Sequence, residues 1–211
     1  MARYKLHGIW ASGPTYKVAL MLTLCGQPFD YEHVDMMTGA HKAPEYLAKN
    51  RFGQVPCLED SKNDLAMCQS STILEYIAEQ TGQLLPPTQQ TRQQAREWVF
   101  WAWDRLARGV YRPRAIKLGF LKAAAEIADH YLADGAGALK ALDEHLTGRE
   151  WLVGDAPSFA DIDLYGVVAY AGQGGHLLND VPSVEAWMQR IERLPGFKDV
   201  NTLLPKESRA A

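Results

Sequence analysis

A serine stands at residue 12, two places before a proline and just after a run that reads as a strand. Pro14 suits the first turn of a helix, because its ring fixes φ near the helical value and its missing N–H has no partner to lose there. Ser12 then lies where unpaired backbone N–H groups and the positive end of the helix dipole converge. A hydroxyl at that point can cap the helix by accepting an N–H. It can also donate a hydrogen bond to a bound thiolate. A free thiol has a pKa of ~8.5, each unit of lowering represents ~1.4 kcal/mol, and one charge-assisted hydrogen bond supplies ~1.5–3 kcal/mol. Position alone admits both readings. Thr15 is a second hydroxyl nearby and can share or replace the role.

Two further pairs have chemical potential. Val55-Pro56 opens a strand after Gly53-Gln54. A trans bond is the default for X-Pro; a cis bond there would turn the Val55 N–H and C=O outward, free to pair with an extended peptide. Gln69-Ser70 opens a helical pattern, where a side chain and a backbone N–H can hold a carboxylate, or Ser70 can simply cap the helix.

The elements that must carry these residues follow from periodicity. Residues 4–10 and 29–34 alternate as half-buried strands, with an apolar helical face over 18–24 between them and Gly26 as a stop. That β-α-β order implies a parallel pair with a right-handed crossover. Residues 37–50 are irregular. Residues 55–59 and 65–68 form a hairpin across a turn-rich connection, and 70–80 is a helix ended by Gly82. The order is that of a thioredoxin-like α/β unit over 1–82. Pro86-Pro87 marks a linker at 83–89. From 90 to 211 the pattern is all helical: 90–117, 122–146 (weakened or split at Gly135 and Gly137), 158–171 opening on a Ser158…Asp161 capping box, and 184–194. The stretch Gly172-Gln173-Gly174-Gly175-His176 reads as flexible.

Bulk properties narrow the function. A formal charge of −3 over 211 residues argues against a nucleic-acid binder. No run approaches the ~20 apolar residues of a membrane span, and no secretory leader pattern opens the chain, so a cytoplasmic location is expected. Cys25, Cys57 and Cys68 form no CxxC, and the six histidines show no metal spacing. Neither a disulfide framework nor a metal site is expected.

Ser12-Gly13-Pro14-Thr15-Tyr16-Lys17-Val18, Asn50-Arg51-Phe52-Gly53-Gln54-Val55-Pro56, Gln69-Ser70-Ser71-Thr72-Ile73 and Gly154-Asp155-Ala156-Pro157-Ser158-Phe159-Ala160-Asp161 occur in that order. Together they resemble the cytosolic glutathione transferases, nearest the serine-type classes (theta-like, phi-like and bacterial relatives). The resemblance implies the transferase fold, with a thioredoxin-like domain and an all-helical domain. It implies glutathione as co-substrate, no metal, a small electrophilic second substrate, a detoxifying conjugation and a homodimer in which Phe52 is a key for the neighbouring subunit. It implies Ser12 as thiolate stabiliser and Val55, before a cis Pro56, as backbone partner of the cysteinyl part. Gln69 and Ser70 would hold the γ-glutamyl carboxylate, and His41, Lys42 and Gln54 the glycyl end. The chain departs from the pattern at Gln69, where many relatives carry Glu, at Arg51, where proline is common, and at Pro14, where many bacterial relatives carry Asn. No cysteine lies in the Ser12 loop, which speaks against a cysteine-dependent reductase. Glutathione-dependent isomerisation, peroxide reduction or disulfide exchange, and a non-catalytic binding module, are the alternatives.

For the second substrate, Trp98 and Trp101 share a helix face and read first as packing. Trp103, Arg105 or Tyr111 are candidates to line the pocket. The basic run Arg105, Arg108, Arg112, Arg114, Lys117 is a solvated face or an attractor of anionic substrates.

Overall fold

The computed structural model describes residues 2–210. The chain divides into two compact units: one takes in the chain as far as Gln83 together with Leu194 onward, the other is Leu84–Arg193.

In the first unit, β1 (Tyr4–Gly8) and β2 (Phe29–His33) run parallel, with α1 (Gly13–Leu24) between them in sequence. A short helix α2 (Pro44–Leu47) precedes the hairpin of β3 (Cys57–Asp60) and β4 (Leu65–Cys68), and α3 (Ser70–Thr81) follows. The sheet order is β2-β1-β3-β4, with β3 antiparallel to both neighbours. This is the thioredoxin-like arrangement. The first strand stops at Gly8 because the chain turns there, the Ser12 N–H reaching the Ile9 carbonyl at 3.0 Å. The hairpin starts at Cys57 rather than Val55, since Pro56 has no N–H to give to a ladder.

Tyr4 and Leu6 are fully buried, as are Ile73, Leu74 and Ile77 of α3. α1 is buried along almost its whole length rather than along one stripe, which is why an amphipathic reading captures only part of it. It encloses Lys17, 0% exposed, with Nζ 3.4 Å from Ser71 Oγ on α3.

The chain after Leu194 returns to this unit, whereas a helical domain running over 90–211 was expected. Arg209 and Tyr31 exchange both backbone hydrogen bonds (2.6 and 2.7 Å), and Ser208 Oγ accepts the His33 N–H at 2.9 Å. Tyr16 donates its hydroxyl to the Lys198 carbonyl at 3.0 Å. The tail thus occupies the open edge of β2, which would otherwise expose unpaired backbone groups.

The second unit is all helical. Thr88 and Thr91 form a reciprocal capping box for α4 (Gln89–Trp101). A π-helical segment (Ala102–Leu106) joins α4 to α5 (Ala107–Lys117). Then come α6 (Ala125–Leu146), α7 (Phe159–Val168), the single turn α8 (Ala171–Gly174) and α9 (Pro182–Glu192). Gly172–Gly174, expected to be flexible, lies in that helical turn, and His176 beyond it is buried.

Gly135 does not split α6. It is where α6 meets α5: a Cβ at 135 would sit 2.4 Å from the Gly109 carbonyl oxygen and 2.6 Å from His176 Cε1. Pro113 explains the third partner. Lacking an N–H, it leaves the carbonyl of Gly109, four residues earlier, without its helical donor. His176 Nε2 takes that carbonyl at 2.9 Å, so Nε2 carries the proton. Gly137, by contrast, has nothing within 4 Å of its missing Cβ. The two glycines therefore have opposite signs. Gly137→Ala is expected to stabilise by ~0.5–1 kcal/mol through helix propensity. Gly135→Ala is expected to destabilise by ~1–3 kcal/mol through overpacking that exceeds the same propensity gain. Denaturant midpoints of the two variants check the pair; equal shifts would contradict it.

Candidate functional site

Ser12 is the N-cap of α1, in extended backbone, and its Oγ accepts the Thr15 N–H at 3.2 Å. Capping and donation are thus compatible: the oxygen accepts from the helix while the hydroxyl proton remains to be given outward. Ser12 is partly exposed. Thr15 is 0% exposed, its side chain packed on Gly8, where a Cβ would meet Thr15 Cγ2 at 2.1 Å. Thr15 Oγ1 is buried with no hydrogen-bond partner among the described residues.

The N-terminus of α3 lies in the same unit. Gln69, its N-cap, has φ 74°, a region that non-glycine residues enter at a cost and that recurs at ligand sites. Gln69 Nε2 reaches Gln54 Oε1 at 3.4 Å, so these two expected site residues come together. Ser70 is 2% exposed, and its Oγ has no hydrogen-bond partner among the described residues. A buried hydroxyl and the first N–H groups of the 12-residue helix α3 form a set of donors suited to a carboxylate. The Val55-Pro56 peptide is cis.

The loop before β3 is held from below. Asn50, 1% exposed, accepts the Phe52 N–H at 3.1 Å as an Asx turn and donates to the Gln54 carbonyl at 2.6 Å. Tyr46 donates its hydroxyl to that same carbonyl at 2.7 Å. Lys42 Nζ donates to the Gly53 carbonyl at 2.9 Å. Gly53 has φ 55°, and a Cβ there would strike Lys42 Nζ and the His41 carbonyl at 2.8 and 2.9 Å, so both the backbone and the close approach require glycine. His41 Nδ1 is buried without a partner among the described residues. Lys42, His41 and Gln54 thereby converge on one loop.

Residues 12–80 match the family described as "Glutathione S-transferase, N-terminal domain", and residues 115–195 match "Glutathione S-transferase, C-terminal domain". A solved glutathione S-transferase from Pseudomonas fluorescens Pf-5 is 32% identical over 94% of this chain and 99% of its own, with a TM-score of 0.89. The chain belongs to the glutathione transferase family. Glutathione S-transferase 3 of Zea mays is 29% identical over 97% of this chain and 96% of its own length. Maleylacetoacetate isomerase of Rhizobium meliloti is 32% identical over 75% of this chain and 77% of its own.

In this glutathione transferase, the helical-unit candidates are distributed unevenly. Trp98 packs edge-on to Trp101 at 5.2 Å and against the His145 ring of α6 at 4.3 Å, a packing role. Trp103, 39% exposed, and Arg105 sit on the π segment, and Arg105 Nε pairs with Asp104 at 2.9 Å. Tyr111 donates its hydroxyl to the Gly166 carbonyl at 2.7 Å, and burial pushes that hydroxyl's pKa well up. Its polar end is thus engaged inside the helical unit. The basic run is likewise shared out: Arg108 pairs with Asp134 at 2.8 Å, and Arg114 lies over the Tyr170 ring and donates to Gln173. Among the described residues no three His, Cys, Asp or Glu side chains converge as a metal requires, and no helix is long and apolar enough to cross a membrane.

Sequence reasoning missed Asn50 and Tyr46 as supports of the loop. The Asn-x-x-Gly spacing before Gln54 was the available signal for an Asx turn. Lys17 gave no signal, because a lysine inside an apolar run reads as the solvent side of a helix.

Proposed function

We propose that the protein activates the glutathione thiol as a thiolate at Ser12 and directs it at a small electrophilic carbon. The supporting observation is the Ser12 hydroxyl: its oxygen is occupied by the Thr15 N–H, so its proton is the group left to face a sulfur. We assign the role to Ser12 rather than to Thr15, whose side chain is buried against Gly8. In this serine-type reading the γ-glutamyl carboxylate rests on Ser70 and Gln69, the cysteinyl backbone pairs with Val55, and Lys42, His41 and Gln54 receive the glycyl end. Catalysis is then thiolate stabilisation plus positioning. The electrophile is received by the helical unit, with Trp103 as its exposed aromatic candidate. Phe52, 45% exposed with the Arg51 guanidinium 4.6 Å above its ring, is the anchor of the proposed homodimer.

The reading is tested by retention on immobilised glutathione with elution by free glutathione, followed by turnover of an aryl halide. Conjugation consumes one glutathione per electrophile, so the free-thiol titre is expected to fall in step with product. The isomerase relative favours a second reading, in which the thiolate adds to a conjugated double bond and leaves again after rotation. Product would then form with the thiol titre constant. Absence of retention would overturn both readings.

A further inference from the structure

The register of the β3–β4 hairpin pairs Cys57 directly with Cys68. Residues directly opposite in an antiparallel pair have Cα atoms about 4.5–5.5 Å apart and side chains on the same face. A disulfide needs about 4.4–6.8 Å between Cα atoms. Both residues are thiols in this structure. Their neighbours in sequence are the elements assigned above to glutathione: Pro56 of the cis Val55-Pro56 bond precedes Cys57, and Gln69-Ser70 follow Cys68. We infer that Cys57 and Cys68 form a reversible cross-strand disulfide by exchange with glutathione disulfide, and that its closure weakens glutathione binding.

The two cysteines differ in access. Cys68 is partly exposed, whereas Cys57 is 0% exposed beneath Tyr46 and Val34, with its Sγ 3.8 Å from the Lys49 carbonyl oxygen. Cys68 is therefore the entry point. Its thiolate attacks one sulfur of glutathione disulfide, that S–S bond breaks, and one glutathione thiolate leaves with the electron pair. The Cys57 thiol loses its proton and attacks Cys68 Sγ. The mixed disulfide breaks and the second glutathione thiolate leaves. Two protein thiols are oxidised, one glutathione disulfide is reduced to two glutathione molecules, and the two protons leave with them. Burial pushes the Cys57 thiol up to about 12, so the second step is the slower one and the mixed disulfide at Cys68 accumulates first. Cys25, buried at the end of α1, takes no part.

Closure acts on the glutathione elements by two routes. It ties β3 to β4 one residue from Pro56 and one from Gln69. It also removes the Cys57 S–H that faces the Lys49 carbonyl, in the loop where Tyr46 and Asn50 hold Gln54. The assignment of the pair stands on register and access; its effect on binding rests on the reading under Proposed function.

Intact-mass analysis of the native protein over a series of glutathione to glutathione-disulfide ratios tests it. The expected sequence is one glutathionyl adduct, then a species lacking two hydrogens whose peptide map links 57 to 68. Cys57→Ala is expected to stop at the adduct and Cys68→Ser to react at neither position. The oxidised protein is expected to lose glutathione affinity on the order of 10-fold, as for coupled sites generally, and to regain it with dithiothreitol. An adduct on Cys68 that never resolves, no reaction in the native protein, or unchanged affinity after closure would overturn the inference. If the reduced protein already fails to bind glutathione, the functional reading falls, and the mass series still decides the pair.

Discussion

Ser12→Ala is expected to lower kcat/KM for conjugation by ~10–100-fold near neutral pH, with glutathione retention largely intact. The hydroxyl supplies one charge-assisted hydrogen bond to the thiolate, ~1.5–3 kcal/mol, which is about one to two units of thiol pKa. Binding of the tripeptide is spread over Ser70, Gln69, Val55 and the Lys42 loop, so most of it survives. The loss has a pH signature. Without the donor the bound thiol titrates higher, so the activity of the variant should climb with pH over about one to two units beyond the point where the wild type has levelled. Since Ser12 Oγ also accepts the Thr15 N–H, alanine removes a cap worth ~1 kcal/mol as well. Glycine caps nearly as well as serine and gives no hydroxyl, so Ser12→Gly isolates the missing donor and should lose the same activity with a smaller loss of stability than Ser12→Ala. Thr15→Val removes a buried, unpartnered hydroxyl from the same turn and should leave turnover unchanged. Full activity in Ser12→Gly, or loss in Thr15→Val at unchanged stability, would move the thiolate donor away from Ser12. Bound-thiolate ultraviolet absorbance against pH, with steady-state kinetics, decides it.

What could be read without coordinates was whatever is local. Alternation around Leu6 and Tyr31, the Pro14 entry to α1, the Gly82 stop of α3 and the Ser158…Asp161 box each encode their element within a few residues, and each element is present. The site was legible to the extent that it uses helix starts: Ser12 and Ser70 announce themselves by position. What was hidden depends on long-range pairing. Nothing near Cys57 or Cys68 says that the hairpin register sets them opposite one another. The pairing of Arg209 with Tyr31 joins residues far apart in the chain, and nothing local to the tail marks it as a partner of β2. Gly135 was read by propensity as a weak point in a helix, whereas tertiary packing uses its missing side chain as the crossing with Gly109. Lys17 shows the same override, a lysine enclosed within a buried helix.

The largest stability effect is expected at Asp161, 0% exposed near the start of α7. Its Oδ1 accepts the Leu152 N–H and the Trp187 indole N–H, both at 3.0 Å; its Oδ2 accepts the Ser158 N–H at 2.8 Å and the Ser158 hydroxyl at 3.0 Å. One carboxylate thus satisfies donors from the loop before α7, the cap of α7 and α9. Burial pushes its carboxyl up from the ordinary value while those donors pull it down. Asp161→Ala leaves three buried N–H groups without an acceptor, each costing ~1–3 kcal/mol, and the total is expected to reach ~4–5 kcal/mol. That is a large share of the ~5–15 kcal/mol available to a protein. Asp161→Asn keeps an oxygen for Leu152 and Trp187 but turns an amide NH2 toward the Ser158 N–H, so about half of the loss is expected. Ser158→Ala removes only the hydroxyl and should cost ~1 kcal/mol. Denaturant unfolding of the three variants should therefore rank Ser158→Ala mildest, Asp161→Asn intermediate and Asp161→Ala most severe. The ranking separates two roles for the carboxylate. If α7 needs only its local cap, Asp161→Ala and Ser158→Ala would fall within ~1 kcal/mol of each other. If Asp161 ties Leu152 and Trp187 to that cap, the gap between them holds the two long-range bonds together with the Ser158 N–H bond, and Trp187→Phe, which removes one of those three donors, should by itself reproduce about a third of it.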